Sequence, residues 1–149
     1  ENNLNTNDIS EKLSYLAAEK ISDNVDNILE DKANFIEQNH AAATYASKIK
    51  KSEGQIDWKD NAKNIIGKIN GLYPVPGAFF IFNGERHKIL KAKIANGQGK
   101  PGEVLSDYLE IACGTKESIK IYKIQRQGKK AQNINEFILG TKIKKGSFL

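Results

Sequence analysis

The chain contains no methionine, one cysteine, three prolines and one tryptophan, and of its 23 basic residues only Arg86 and Arg126 are arginine. A single cysteine, Cys113, excludes an internal disulfide and argues against a disulfide-stapled secreted scaffold. A reducing, cytoplasmic setting is the expectation. No apolar run approaches the roughly 20 residues needed to cross a bilayer, so no membrane partner is expected. The two histidines, His40 and His87, lie far from each other and from Cys113, and no pair has metal-ligand spacing. The start, Glu1-Asn2-Asn3-Leu4, is neither a signal peptide nor a Met start. With methionine absent throughout, the expectation is a fragment or processed piece of a longer protein.

What is present is charge, and it is unevenly placed. Residues 1–43 carry three Lys against nine acids, a net −6; residues 44–149 carry twenty Lys or Arg against nine acids, a net +11. The whole-chain value of +5 hides an acidic piece joined to a strongly basic one. Such a split points to a polyanionic partner for the basic part.

Apolar spacing predicts one long helix over about 6–31. Ile9, Leu13, Leu16, Ala17, Ile21, Val25, Ile28 and Leu29 recur at three- and four-residue steps, and Asn5, Thr6 and Asp8 offer caps. The opposite face is charged, so the helix needs a partner surface that the chain itself does not supply. Residues 33–57 read as a connector. A second helix is expected at about 60–71, capped by Asp60 and ended by Gly71 and Pro74. Short strands follow: Ala78 to Phe82, the Asn83-Gly84 hairpin signal, and Lys88 to Ile94 with Leu90, Ala92 and Ile94 on one side. Val104-Leu105, Leu109 to Ala112 and Ile119 to Ile124 continue them. A short helix at 135–140 and a basic tail end the chain. The expected class is α+β, a small Greek-key β-barrel with flanking helices.

Catalytic readings find little support. Gly97-Gln98-Gly99-Lys100-Pro101-Gly102 lacks the hydroxyl and following helix of a phosphate-cradling loop, so it reads as a strand connection. Cys113 reads as a small apolar strand residue, since no base adjoins it. His87, beside the hairpin turn, reads as a surface side chain. Tyr45 and Trp58 are expected to pack the connector down. Phe79, Phe80 and Phe82 are expected to be partly core, because a strand sends alternate side chains to opposite faces. The credible site is basic: Lys48, Lys50 and Lys51 on the connector, Lys88, Lys91 and Lys93 on a strand, Arg126, Lys129 and Lys130 around a loop, and Lys142, Lys144 and Lys145 in the tail.

Three stretches together carry a resemblance. They are Ala43-Thr44-Tyr45 through Lys48-Ile49-Lys50-Lys51 to Ile56-Asp57-Trp58, then Pro74-Val75-Pro76-Gly77-Ala78, and then Gly97 to Leu105. Phe137-Ile138-Leu139-Gly140 before a basic tail also fits. The chain resembles the C-terminal part of the methionyl-tRNA formyltransferase family. Ser47 stands where the family favours Pro, Val75 where it favours Trp, and Asn70 where Arg is usual.

The resemblance implies residues 1–43 as the end of a Rossmann-like catalytic domain, otherwise missing here. It implies 44–58 as a basic linker and 59–149 as the tRNA-binding OB-like domain. The intact bacterial enzyme would move a formyl group from 10-formyltetrahydrofolate to the amino group of initiator methionyl-tRNA in translation initiation. The catalytic Asn, His and Asp of the family have no counterparts in this chain. It is therefore expected to bind tRNA, to hold no cofactor and to be inactive alone. The tRNA-contact role carries over to Lys48, Lys50 and Lys51. Two alternatives stand beside it: the same module in another 10-formyltetrahydrofolate-using formyltransferase, hydrolase or dehydrogenase, and a stand-alone OB-like nucleic-acid-binding protein.

Overall fold

A computed structural model describes residues 4–149. Helix α1 spans Thr6–Leu29. The Asn5 side chain accepts from the Asp8 N–H and the Asp8 carboxylate accepts from the Asn5 N–H, both at 3.1 Å, a reciprocal cap. The Thr6 hydroxyl instead donates to the Gly71 carbonyl at 2.6 Å, tying the start of α1 to the end of the second helix. No residue of α1 is buried, and Ile9, Leu13, Leu16, Ile21, Val25 and Ile28 lie exposed along it. Replacing Leu13, Leu16 and Val25 together by Gln should therefore leave the stability of the rest within about 0.5 kcal/mol. Thermal unfolding followed by Trp58 fluorescence checks this; a loss above about 1 kcal/mol would show that α1 supports the sheet domain.

Past the exposed connector, α2 runs Ala62–Gly71 and buries Ala62, Ile65 and Ile69. Six strands follow: β1 Phe79–Phe82, β2 Glu85–Ala95, β3 Val104–Ser106, β4 Glu110–Ala112, β5 Ser118–Arg126 and β6 Ala131–Asn133. The antiparallel order is β1-β2-β5-β4-β3, with β6 also on β5. Strand β4 pairs with the first part of β5 and β6 with the last part, so two short strands share one edge. The β1–β2 turn works because Asn83 and Gly84 both take positive φ, +50° and +77°, as a tight two-residue hairpin demands. A short helix, α3 (Ile134–Phe137), drops Phe137 into the core.

The sheet is curled, and each of its outer edges is extended by further backbone. On the β1 side, Gln55 bridges Phe79 and the Ile56 N–H donates to the Phe79 carbonyl at 2.8 Å. On the β3 side the tail returns: the Val104 N–H donates to the Ser147 carbonyl at 2.9 Å and the Leu149 N–H to the Gly102 carbonyl at 3.0 Å. Trp58 fills the seam, 5% exposed and tilted against Phe80 with ring centroids 6.0 Å apart. Gly102 has φ +85° there, and a Cβ on it would stand 2.8 Å from the Leu149 carbonyl and 3.4 Å from Trp58 Cδ1. The core inside includes Ile89, Ile111, Ile119, Ile121 and Ile124 of the sheet with Ile65 and Ile69 of α2.

The α+β class, the long first helix, the hairpin and the strand connection at 97–102 stand as expected. Four details differ. Asn61, not Asp60, caps α2, its side chain accepting from the Asn64 N–H at 2.8 Å. The core side of β2 is made by His87, Ile89 and Ala92, because pairing with β5 is irregular between Ile89 and Ala92 and shifts the alternation. Leu90 is thereby displaced from the core. His87 is buried, 2% exposed, and not a surface side chain. Trp58 does pack down, whereas Tyr45 is 94% exposed and packs nothing.

Candidate nucleic-acid interface

The irregular pairing that turns Ile89 and Ala92 inward turns lysines outward. Lys91 stands opposite Lys123, and Lys93 opposite Lys120, across β2 and β5. All four are exposed, and among the described residues none of them is in an ion pair. Like charges directly opposite each other cost stability, so this ladder is held against its own repulsion. On its other side Lys120 faces Glu110 of β4, whose carboxylate is already taken by the Ser118 hydroxyl at 2.6 Å. Lys91, Lys93 and Lys123 rim a cavity of about 260 Å³ together with Asn70, Asn5 and Asp8 at the start of α1.

The remaining candidates form further groups. Arg126, Lys129 and Lys130 line one cavity of about 350 Å³, bounded by Glu136 and Gly140. Lys88 and Arg126 line another with Arg86, Gln125, Gln127 and Gly128. Arg126 lies over the Phe137 ring at 4.7 Å and donates to the Gly140 carbonyl at 2.7 Å. Lys88 donates to the Pro74 carbonyl at 3.3 Å, and burial together with the neighbouring Arg86 lowers its pKa. Lys48, Lys50 and Lys51 are exposed on the connector and line none of these cavities. The Lys50 N–H donates to Glu53 Oε1 at 2.6 Å, fixing the turn that leads to the Gln55 bridge.

His87 stacks on Phe80 with centroids 5.2 Å apart and meets the edge of Phe137 at 5.7 Å. Neither ring nitrogen is hydrogen-bonded; Glu85 Oε2 stands 3.5 Å from Nε2 without hydrogen-bond geometry. Burial pushes its pKa below the ordinary 6.5, Glu85 partly opposes this, and Arg126 pushes it further down. Lys142 lines a cavity of about 260 Å³ with His87, Glu85 and Arg126. The folded state thus binds fewer protons at His87 than the unfolded chain. Its contribution to stability is full above pH 6.5 and falls as pH drops below 6.5 toward the lowered folded value. His87→Phe should flatten that part of the stability profile; denaturant midpoints between pH 7.5 and 5.5 that run parallel in the two proteins would contradict it.

The free thiol of Cys113 is buried, and burial raises its pKa to about 11, as an inert packed residue requires. Among the described residues no group of His, Cys, Asp or Glu could hold a metal, and no helix is long and apolar enough to cross a membrane. Residues missed by sequence reasoning are Arg86, Lys120 and Lys123. The two lysines sat on polar positions of an anticipated strand, but its neighbour in the sheet could not be read from spacing.

Comparison with known proteins places this geometry in a family. The formyl transferase, C-terminal domain, matches residues 48–142. The methionyl-tRNA formyltransferase of Pelagibacter ubique is 66% identical over 143 residues, which is 96% of this chain and 46% of that protein. The methionyl-tRNA formyltransferase of Rickettsia prowazekii is 40% identical over 154 residues, covering all of this chain and 49% of that one. The chain thus spans about half the length of the curated relatives it matches. In fold it is similar to HypX from Aquifex aeolicus, solved in complex with tetrahydrofolic acid, with a TM-score of 0.67 at 16% identity over 89% of this chain and 27% of that one. The chain belongs to the formyl transferase C-terminal domain family.

Proposed function

We propose that this chain is the tRNA-holding part of an enzyme that formylates initiator methionyl-tRNA, with 10-formyltetrahydrofolate as the formyl donor. The carrying observation is the exposed ladder of Lys91, Lys93, Lys120 and Lys123, none of which is in an ion pair among the described residues. A polyanion relieves its repulsion by replacing like-charge contacts with phosphate contacts. That relatives are methionyl-tRNA formyltransferases supports tRNA as that polyanion.

In this reading the chain's own residues bind and orient. The ladder, Lys88, Arg126, Lys129 and Lys130 hold phosphates of the tRNA, and Lys48, Lys50 and Lys51 extend the contact along the connector. Phosphate contacts fix register and orientation and leave base choice to other groups. Formyl transfer needs the methionyl amine unprotonated and set against the formyl carbon, so holding the acceptor arm still lowers the entropic part of the barrier. The proton-transferring groups belong to a preceding catalytic domain, and this chain alone binds without catalysing. The exposed apolar stripe of α1 is the surface that meets that domain. The curled sheet, with Trp58 between its two extended edges, supports an OB-like description of residues 59–149. A cytoplasmic site of action follows from the tRNA partner. Fluorescence-anisotropy titration of labelled initiator methionyl-tRNA tests the proposal: saturable binding is expected, and none up to the solubility of the chain would contradict it.

A further inference from the structure

Strand β1 pairs with β2 only as far as Lys88, and the Ile89 N–H donates to the Ala78 carbonyl at 2.9 Å. From Leu90 onward β2 keeps β5 on one side and, among the described residues, no strand on the other. Such an open edge presents unpaired N–H and C=O groups. The cavity of about 260 Å³ beside the lysine ladder runs along this edge, since the consecutive residues Leu90 to Lys93 all line it. Asn70, in the last turn of α2, and Tyr73, just past it, complete the wall, and both are half-buried. The Asn70 carbonyl accepts from the Thr6 hydroxyl at 3.3 Å and from the Tyr73 N–H at 3.4 Å, which holds the start of α1, Asn70 and Tyr73 together. Asp8 is the one acid in the lining, and its Oδ2 accepts from the Asn5 N–H at 3.1 Å.

We propose that this cavity takes one unpaired nucleotide of an RNA, with the base inside and the phosphate on Lys91, Lys93 and Lys123. The inference deepens the tRNA reading and rests on it. Drug-sized ligands occupy about 300–1,000 Å³, so the cavity suits a single base and sugar and is too small for a base pair. Unpaired RNA bases are held by stacking on aromatic rings and by hydrogen bonds along their edges. Tyr73 and Leu90 supply the apolar faces, while the Asn70 amide and the open edge of β2 supply donors and acceptors. Asp8 decides which end enters. A carboxylate repels a phosphate but accepts from the exocyclic amine of a base, so the phosphate stays outside, where the lysines are. Adenine, guanine and cytosine carry that amine and uracil does not, so uracil should bind more weakly. A protein strand could also pair with an open edge. Three exposed lysines around it, none in an ion pair among the described residues, favour a polyanion instead.

The test compares chains of equal charge with and without bases. Hexaadenylate, hexauridylate, an abasic ribose-phosphate hexamer and initiator tRNA are titrated separately into the full chain, followed by nitrogen–proton correlation spectra. Hexaadenylate should shift the amides of Leu90, Lys91 and Ala92 and bind roughly fivefold to 10²-fold more tightly than the abasic hexamer, with hexauridylate between them. Tyr73→Leu should remove that advantage while leaving affinity for the abasic hexamer unchanged, and Tyr73→Phe should keep it. The comparison of probes on the parent chain stands even if Tyr73→Leu fails to fold. Equal affinity for hexaadenylate and the abasic hexamer overturns the proposal. So do amides at 90–92 that no probe moves, which would leave the edge to a protein strand. Salt-sensitive tRNA binding without any advantage from bases keeps the tRNA reading and removes the pocket. An advantage from bases without binding of tRNA keeps the pocket and removes the tRNA reading.

Discussion

Trp58→Ala should cost about 3–5 kcal/mol of folding stability. A domain of this kind is commonly stable by only about 5–15 kcal/mol, so the variant loses a large share. The size of the effect follows from position as well as from buried area. Trp58 lies between the Gln55–Ile56 segment on the β1 edge and the returning tail on the β3 edge, and it also packs on Phe80. Its removal opens a cavity between Phe80 on one side and the Pro101–Leu149 side on the other, so neighbours from two directions lose their backing. Trp58→Phe, which keeps the apolar body, should cost markedly less. Urea unfolding followed by far-ultraviolet circular dichroism measures both; a loss below about 1 kcal/mol for Trp58→Ala would refute the seam.

The second large effect concerns binding. Changing Lys91, Lys93, Lys120 and Lys123 together to Gln should weaken tRNA binding on the order of 10²-fold at low salt. Stability should stay constant or rise by a few tenths of a kcal/mol, because two opposed like-charge pairs disappear. The opposite signs matter. A residue set selected for folding loses stability when removed, whereas a set selected for a polyanion relaxes. Urea midpoints and anisotropy titrations on the same preparation read both quantities. A variant that loses stability in step with binding would mark the ladder as structural.

Much of this was legible in the sequence where a signal is local. The periodicity of Ile9, Leu13, Leu16 and Val25, with Asn5 and Asp8 ahead of it, is enough for α1 and its cap. Asn83-Gly84 announces its hairpin because few other pairs adopt two successive positive φ values. The illegible part depended on pairing between distant segments. The irregularity between Ile89 and Ala92 exists only against β5, so strict alternation put Leu90 inward and left His87 outside. The lysine ladder was half visible: Lys91 and Lys93 stood out, while Lys120 and Lys123 acquired meaning only once β5 lay beside β2. Arg86 is inconspicuous among the four consecutive polar residues 85–88, because its place over Phe79 is set by the sheet. Tyr45 and Trp58 looked alike as connector aromatics; only the closure of the sheet distinguishes them.

The central claim, that the basic module holds tRNA through its phosphates, is tested most directly by the dissociation constant for initiator methionyl-tRNA between 50 and 200 mM salt. Engagement of ~6–10 phosphates predicts a linear fall of log affinity with log salt, totalling roughly 10³–10⁵ across that range, with a slope shallower by about 4 in the four-lysine variant. Affinity that stays constant across the salt series, in the chain and the variant alike, would contradict the account.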